Sequence, residues 1–335
     1  MKVVKLNSRG SAFSIALLVV VVALIVGTFF YISSKQTNNR SPISTASTSS
    51  SSSSAKSPTT KQSSISLTKL PLGDGKVSTT PKVGYVDSCT TSFKGGGAQH
   101  SGSWINGSTW NAEAKPIVEG SVNWPGAKFS ATLSGSSRIL SGNGLPINTP
   151  TGVFPIQPGT TAYQYDHNPN SIKAYDVSYS LPANPAFASK PSCVGLGPVG
   201  YLLNGVALFN ALDASGRDAA AHEIQDKCDG HPQSAGIYHY HSMSNCIKNE
   251  DANNTLVGYA LDGFGIYSDR SATGKQYTTA DLGACHGITS NIMWNGKMVN
   301  MFHYVLTRDY PYSIGCFRGT PVHTHPAGVT ARPRG

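Results

Sequence analysis

Hydrophobic residues in the second part of the chain occur in short runs, several of them alternating with polar residues, and turn-forming residues separate these runs. Alternation with a period of two is typical of a β-strand that buries one face. Two runs are interrupted by Asn204-Gly205 and Asp262-Gly263, dipeptides that favour hairpin turns. Only residues 216–228, which are rich in alanine, suggest a helix. The pattern predicts a mainly β, antiparallel, sandwich-like domain with one or two short helices over residues 73–335, including a small strand-rich extension at 85–135.

The beginning of the chain has a different pattern. Residues 12–32 form an apolar run without a charge, and residues 1–11 before it are basic. A bilayer-spanning helix needs about 20 apolar residues, whereas the apolar core of a cleaved signal peptide usually has about 7–15. A single transmembrane signal-anchor helix at 12–32 is therefore favoured over a signal peptide, with 1–11 in the cytoplasm. Residues 33–72 are rich in Ser and Thr and predict a low-complexity stalk, since they cannot bury a core.

The cysteines indicate the compartment of the predicted domain. All six lie beyond the stalk, and an even number is typical of disulfide pairing in an oxidising environment. We expect a single-pass membrane protein whose body lies outside the cytoplasm, at the cell surface or in the periplasm. Its expected partners are the membrane, through the N-terminal helix, and an envelope or extracellular ligand.

The overall basic charge does not indicate nucleic-acid binding. Of the 26 Lys and Arg residues, eight lie within residues 1–72, which contain none of the 17 Asp and Glu residues. The predicted domain is therefore nearly neutral and has no basic cluster that could follow a phosphate backbone. We expect no nucleic-acid partner.

The segment GIYHYHSMSNC at 236–246 contains the most distinctive motif, an alternation of tyrosine and histidine from Tyr238 to His241. In a strand, His239 and His241 would share one face and the two tyrosines the other. A weaker echo follows, because DKCDGH, YHYH and Cys246 are succeeded by DLGACHG, FHYV and Cys316. Two related hairpins in one core would explain this echo, although chance would also explain a match of this length.

The echo also suggests how the cysteines pair. Each half would be closed by its own bridge, so we predict Cys228–Cys246 and Cys285–Cys316, and Cys89–Cys193 follows by elimination. Alternatively, Cys228 and His231 have a zinc-like C-x₂-H spacing, and Cys246 could complete a ligand set. Outside the cytoplasm thiols tend to oxidise, so disulfides are the favoured interpretation.

Five segments in a fixed order resemble the YHYH-domain proteins, a family of exported or membrane-attached proteins named for this tetrapeptide. The resemblance covers about residues 139–321 and implies a compact extracytoplasmic domain, but no established activity. Where family members often show a fuller Tyr/His strand in the second half, this chain has MFHYV at 301–305 and lacks a second histidine. The matching segments are GNGLP, NGVALFNALD, DKCDGHPQSAGIYHYH, LVGYALDGFGIY and DYPYSIGCFRGTP.

Histidines at i and i+2 on a strand can both reach one metal ion. His239 and His241 are therefore candidate ligands of a divalent metal such as zinc or copper, and the third group would be His231, His303 or Asp262. His231 is the first choice because the predicted Cys228–Cys246 bridge holds it near the motif. The alternative is that the histidines are hydrogen-bonded structural residues.

The sequence leaves three functions open. The first is a cell-envelope module with a metal-binding, other binding or structural role, and the second is a metal-dependent extracytoplasmic enzyme that uses His239 and His241. The third is carbohydrate binding, since 15 Tyr and four Trp offer stacking faces. No Gly-x-Ser-x-Gly elbow surrounds Ser242 or Ser268, and the sequence assigns no catalytic residue.

Overall fold

The structure, a computed structural model, describes residues 65–322. The predicted membrane helix at 12–32, the segment 1–11 before it and most of the predicted stalk lie outside these residues. Within 65–322, none of the helices has the length and apolar character needed to span a bilayer. The folded body begins before the predicted boundary at residue 72, because Leu70 pairs with a later strand and is buried.

The first strands are short and form two small sheets. β1 pairs with β5 and β5 with β4, all antiparallel, while β2 pairs with β3 in parallel. Three of the five lie in the strand-rich extension expected at 85–135. The strands are β1 (Leu70–Pro71), β2 (Val77–Ser78), β3 (Val86–Asp87), β4 (Ile105–Asn106) and β5 (Thr109–Trp110).

The remaining strands form a three-stranded and an eight-stranded sheet. The smaller is antiparallel with the order β6-β7-β8, and the larger has the order β11-β12-β10-β9-β13-β14-β16-β15. The strands are β6 (Phe129–Ser134), β7 (Ser137–Gly142), β8 (Val177–Pro182), β9 (Pro198–Leu202), β10 (Ala207–Phe209), β11 (Gly230–Pro232), β12 (Tyr238–Tyr240), β13 (Leu256–Ala260), β14 (Gly265–Tyr267), β15 (Gly287–Trp294) and β16 (Lys297–Val305).

The predicted mainly β fold with antiparallel pairing is confirmed, with one difference. In the large sheet, β10 pairs with β12 and β14 with β16 in parallel, so this sheet is mixed. The three-stranded sheet contacts the large sheet through tyrosines of the core. The Tyr179 and Tyr201 hydroxyls are 3.4 Å apart, and the Arg138 guanidinium lies 4.2 Å from the Tyr259 ring centroid.

The large sheet consists of two similar halves. Residues 199–209 read VGYLLNGVALF and form most of the β9–β10 hairpin, and residues 257–267 read VGYALDGFGIY and form the β13–β14 hairpin. From the centre outward, the strand order is β9-β10-β12-β11 on one side and β13-β14-β16-β15 on the other. The two halves meet where Tyr201 pairs with Tyr259. The echo seen in the sequence therefore corresponds to an approximate twofold repeat of four strands.

Strand register gives the equivalent residues of the two halves. In the first half β11 pairs antiparallel with β12, and in the second β15 pairs with β16 in the same way. Each half has a residue in the left-handed region just before its outer strand, Asp229 with φ of 61° and His286 with φ of 64°. The equivalent pairs are Gly230 and Gly287, His231 and Ile288, Tyr238 and Phe302, His239 and His303, Tyr240 and Tyr304, and His241 and Val305.

The helix predicted at 216–228 is only one turn long, α1 (Ala219–His222). It ends because Glu223 has an extended backbone and the groups beyond it bond elsewhere. Lys115 Nζ donates to the Glu223 carbonyl at 2.9 Å, and Asp166 accepts from the following backbone N–H at 3.1 Å. These long-range contacts override the helical preference of the alanines. The other helical elements of the described chain are the 3-10 turns Ala162–Gln164 and Thr279–Asp281.

The three predicted disulfides are confirmed. Cys89–Cys193, Cys228–Cys246 and Cys285–Cys316 join segments with Cα–Cα distances of 5.1, 5.3 and 4.5 Å, and they account for all six cysteines. Cysteine therefore provides no free thiolate as a metal ligand. Three disulfides are typical of a domain that folds in an oxidising, extracytoplasmic environment.

Candidate functional site

The tyrosines and histidines of the YHYH motif, which forms β12 and the residue after it, lie on opposite faces of the chain. The rings of Tyr238 and Tyr240 meet edge to face with centroids 5.7 Å apart, while His239 and His241 bring their Nε2 atoms to 3.0 Å from each other. All four residues are buried. The predicted strand therefore places the two histidines on one face and the two tyrosines on the other, as the structure shows.

Backbone carbonyls orient the two histidines. His239 Nδ1 lies 3.0 Å from the carbonyl oxygen of Ile237, and His241 Nδ1 bonds to the carbonyl oxygen of Asn210. A carbonyl oxygen only accepts, so each Nδ1 carries the hydrogen. Burial lowers the pKa of His239 well below its usual value and that of His241 to about 4, which keeps both rings neutral at pH 7. Each Nε2 therefore directs a lone pair at the other.

His231 joins this pair from the neighbouring strand. It pairs directly with His239 across β11 and β12, and the centroids of the two rings are 4.5 Å apart. Its Nε2 is buried and has no hydrogen-bond partner among residues 65–322. One ring nitrogen from each of the three histidines lies within 4.8 Å of the others.

Glu223 lies next to the histidine cluster, where the chain leaves α1. Its Oε2 is 3.3 Å from His231 Nε2 and 3.4 Å from His241 Nε2, and no group within the described part of the chain forms a hydrogen bond with it. Burial, with the nearby Asp213 and Asp166 carboxylates, raises the pKa of Glu223 well above its usual value. Sequence reasoning did not select Glu223 as a site residue. The one feature of the sequence that could have indicated a role for Glu223 was its position next to His222, in the segment that leads to Cys228.

The distances between these atoms suit a metal ion. Two ligands bound to a tetrahedral ion at 2.0–2.1 Å are about 3.3 Å apart. The Nε2–Nε2 distance of His239 and His241 is 3.0 Å, close to this value, and one ring nitrogen of His231 lies within 4.8 Å of theirs. Neutral imidazoles fixed through Nδ1 by carbonyl groups are also the usual form of histidine ligands.

Two of the predicted ligands, His303 and Asp262, do not lie at this cluster. His303 is the equivalent of His239, but the repeat places β16 beyond four other strands of the sheet from β12. Asp262 is the equivalent of Asn204, and its Oδ2 accepts from the Tyr304 hydroxyl at 2.6 Å and from the Gly319 N–H at 2.9 Å. His303 was an alternative to His231 because the echo suggested that its strand lies beside the YHYH strand, whereas four strands separate β16 from β12 in the structure.

A cavity of about 870 Å³ opens above the cluster. The three histidines and Glu223 form part of its wall, and the Phe209 ring stacks on His239 with centroids 3.9 Å apart. Two other carboxylates, Asp166 and Asp213, line it as well, but no Lys or Arg of the described chain does. The cavity is large enough for a small organic molecule.

Comparison with known protein families finds one family model that matches part of the chain. Residues 178–282 match the model of a family described as YHYH protein. The matched range begins in β8, ends after the second 3-10 turn, and includes the three clustered histidines and Glu223. The resemblance seen in the sequence is thereby confirmed. No curated protein and no solved structure matches the chain.

Proposed function

We propose that this YHYH-family domain binds one divalent transition-metal ion, zinc or copper, through His231, His239 and His241. The observation that carries the proposal is the approach of His239 and His241, whose Nε2 lone pairs face each other at 3.0 Å. Two lone pairs at this distance repel each other, and a cation between them removes the repulsion. His231 supplies a third nitrogen, its buried Nε2, which has no hydrogen-bond partner within residues 65–322.

A purely structural role for the cluster is less favourable because of the internal repeat. The second half builds the same pair of outer strands with Ile288 in place of His231 and Val305 in place of His241. The backbone arrangement therefore does not depend on these imidazoles. Burying three imidazoles and Glu223 costs stability, as expected for groups selected for binding.

The donor atoms restrict the choice of metal. Three imidazole nitrogens suit zinc and copper, whereas magnesium and calcium prefer oxygen ligands. With all cysteines in disulfides, softer thiolate ligands are excluded. Zinc or copper is thus the expected occupant.

The proposed location remains the cell envelope. In this proposal the apolar run at 12–32 anchors the chain in the membrane, and the Ser/Thr-rich segment after it holds the disulfide-bonded domain outside the cytoplasm. Carbohydrate binding receives no comparable support, because Phe187 is the only Phe, Tyr or Trp of residues 65–322 whose side chain is largely exposed.

Metal analysis of the purified full chain tests the proposal. After treatment with a chelator and dialysis against zinc, the protein should retain about one zinc ion per chain. Zinc at about 100 times its Kd should add about 2.7 kcal/mol to the free energy of unfolding, a rise in Tm of about 5–10 °C for a domain of this size. Magnesium should give no shift. A chain that retains no zinc or copper and shows no change in Tm would refute the proposal.

Loss of the Cys228–Cys246 bridge should weaken both folding and zinc binding. The bridge spans 18 residues, and all three histidines lie between its cysteines. Chain entropy predicts that Cys228→Ser/Cys246→Ser loses about 3 kcal/mol of unfolding free energy. Cys285→Ser/Cys316→Ser is the matched control, with a similar loss of stability in chemical denaturation but unchanged zinc affinity. Equal zinc affinity in the two variants would show that the first bridge does not support the site.

A further inference from the structure

Glu223 contacts the histidine cluster without belonging to it. Within 65–322, the three histidines are the only group of three or more His, Cys, Asp and Glu side chains whose ligand atoms all lie within 4.8 Å of one another. Glu223 Oε2 approaches two of them, and its side chain is about nine-tenths buried. A buried, unpartnered carboxylate oxygen at this position would accept a hydrogen bond from a group held at the cluster.

A metal ion held by three histidines has a coordination position left over. Catalytic zinc sites keep three protein ligands and an open position for water or substrate, whereas structural sites are closed by four protein ligands. Here the cavity borders the three histidines and Glu223, so a molecule in the cavity can reach both the metal ion and the carboxylate.

From this arrangement, and resting on the proposed metal site, we infer that the ion keeps an open position toward the cavity and that Glu223 accepts the proton of a water bound there. The chemistry is hydrolysis of an uncharged or cationic carbonyl compound, an ester or an amide. Three carboxylate side chains line the cavity, and no Lys or Arg of residues 65–322 does, so an anionic substrate would be repelled. The Phe209 ring offers the substrate an apolar contact.

The hydrolytic step balances without a further reactant. Water gives one proton to Glu223, and the remaining hydroxide forms a new bond to the carbonyl carbon. The bond from that carbon to the leaving oxygen or nitrogen then breaks, and the leaving group takes the proton from Glu223. The products are a carboxylic acid and an alcohol or amine.

Two small probes on the cobalt(II)-loaded full chain test the open position and the role of Glu223. The visible absorption of cobalt(II) depends on the number and type of its ligands. Acetohydroxamic acid carries hydrogens that Glu223 can accept, and azide carries none. Both should shift the spectrum of the wild-type protein. Glu223→Gln should bind cobalt and azide as the wild type does, but acetohydroxamic acid about 10- to 100-fold more weakly.

The outcomes separate this inference from the metal proposal. No cobalt uptake by the wild-type chain would overturn the metal site itself. Cobalt uptake without a response to either probe would show a closed site, and loss of cobalt in Glu223→Gln would make Glu223 a ligand; each result overturns the inference. Equal affinity of both proteins for acetohydroxamic acid would remove the role of Glu223.

Hydrolysis of p-nitrophenyl acetate by the zinc-loaded chain tests the reaction class. We expect Glu223→Gln to lower the rate about 10²- to 10⁴-fold at unchanged zinc content, as for loss of a general base. His303→Ala is the control, because His303 is a buried histidine that belongs neither to the cluster nor to the cavity wall. This variant should keep most of the rate. If wild type and Glu223→Gln hydrolyse the ester at the same rate, the hydrolytic role is overturned. The same holds if neither protein is faster than buffer alone.

Discussion

Replacing His231 by isoleucine and His241 by valine should abolish zinc uptake while leaving a folded domain. Both substitutions introduce the residues that occupy the equivalent positions of the second half, Ile288 and Val305. Two of the three nitrogens are lost, so zinc affinity should fall by at least about 10³-fold, beyond the 10- to 100-fold typical of groups that only support a ligand. Equilibrium dialysis with zinc measures this loss.

The stability of the metal-free variant decides between a ligand and a structural role. The variant loses the hydrogen bond from His241 to the Asn210 carbonyl and also a buried, unpartnered His231 nitrogen. Loss of the hydrogen bond destabilises the variant, whereas removal of the buried nitrogen that has no partner stabilises it. The free energy of unfolding should therefore stay within about 2 kcal/mol of that of the metal-free wild type. A variant that fails to fold, although its second half carries the same residues in the same strands, would favour the structural role.

His303→Ala provides the matched control for the zinc measurement. His303 is buried like His239, and its Nδ1 lies 3.2 Å from the carbonyl of Met301, two residues earlier, just as His239 contacts the carbonyl of Ile237 at 3.0 Å. Because His303 lies outside the cluster, its removal should lower stability and leave zinc uptake intact. Loss of zinc from this variant would contradict the assignment of the ligands.

Asp226→Ala should cause the largest loss of stability among single substitutions near the site. The Asp226 carboxylate accepts from the N–H groups of Gly152 and Cys228 at 2.9 Å each and from the Tyr238 hydroxyl at 2.9 Å. Each buried donor left without a partner costs about 1–3 kcal/mol. We expect the free energy of unfolding to fall by about 4 kcal/mol or more in urea denaturation. Zinc affinity should fall as well, because Asp226 holds the turn that leads into His231.

A double-mutant cycle with Tyr238 shows whether Asp226→Ala loses stability because the Tyr238 hydroxyl is left without a hydrogen-bond acceptor. The second half has Gly283 and Phe302 where the first has Asp226 and Tyr238, and it keeps the same turn, with an N–H···O bond of 2.9 Å from Gly283 to Gly287. Asp226→Ala/Tyr238→Phe should therefore lose less stability than the two single variants add up to. Strict additivity, or a loss below about 1 kcal/mol for Asp226→Ala, would contradict the central role of this carboxylate.

Much of the fold followed from local pattern. The alternation in β12 gave the correct faces for His239 and His241, and the turns at Asn204-Gly205 and Asp262-Gly263 join the strands of the β9–β10 and β13–β14 hairpins. Those features depend on neighbours in sequence, so the sequence alone was sufficient. The length of α1 was not, because Lys115 and Asp166, which end it, come from distant segments.

In the candidate site too, contacts between residues near in sequence were predictable, whereas contacts between distant segments were not. His231 was predicted from the bridge that holds it near the motif, and the structure brings it to the other two histidines. His303 was chosen from the echo, which reveals equivalence but not distance; equivalent residues of a twofold repeat lie on opposite sides of the axis. Glu223 was missed because its approach depends on where α1 ends.

The twofold repeat also allows the two halves of the large sheet to have different roles, one in chemistry and one in stability. The first half contains the buried groups that disfavour folding, the three clustered imidazoles and the uncompensated Glu223 carboxyl. The second half uses Ile288 and Val305 in the same framework and closes it with its own disulfide. A chain built in this way can change the chemistry of one half while the other preserves the architecture, so variation in ligand or metal need not endanger the fold.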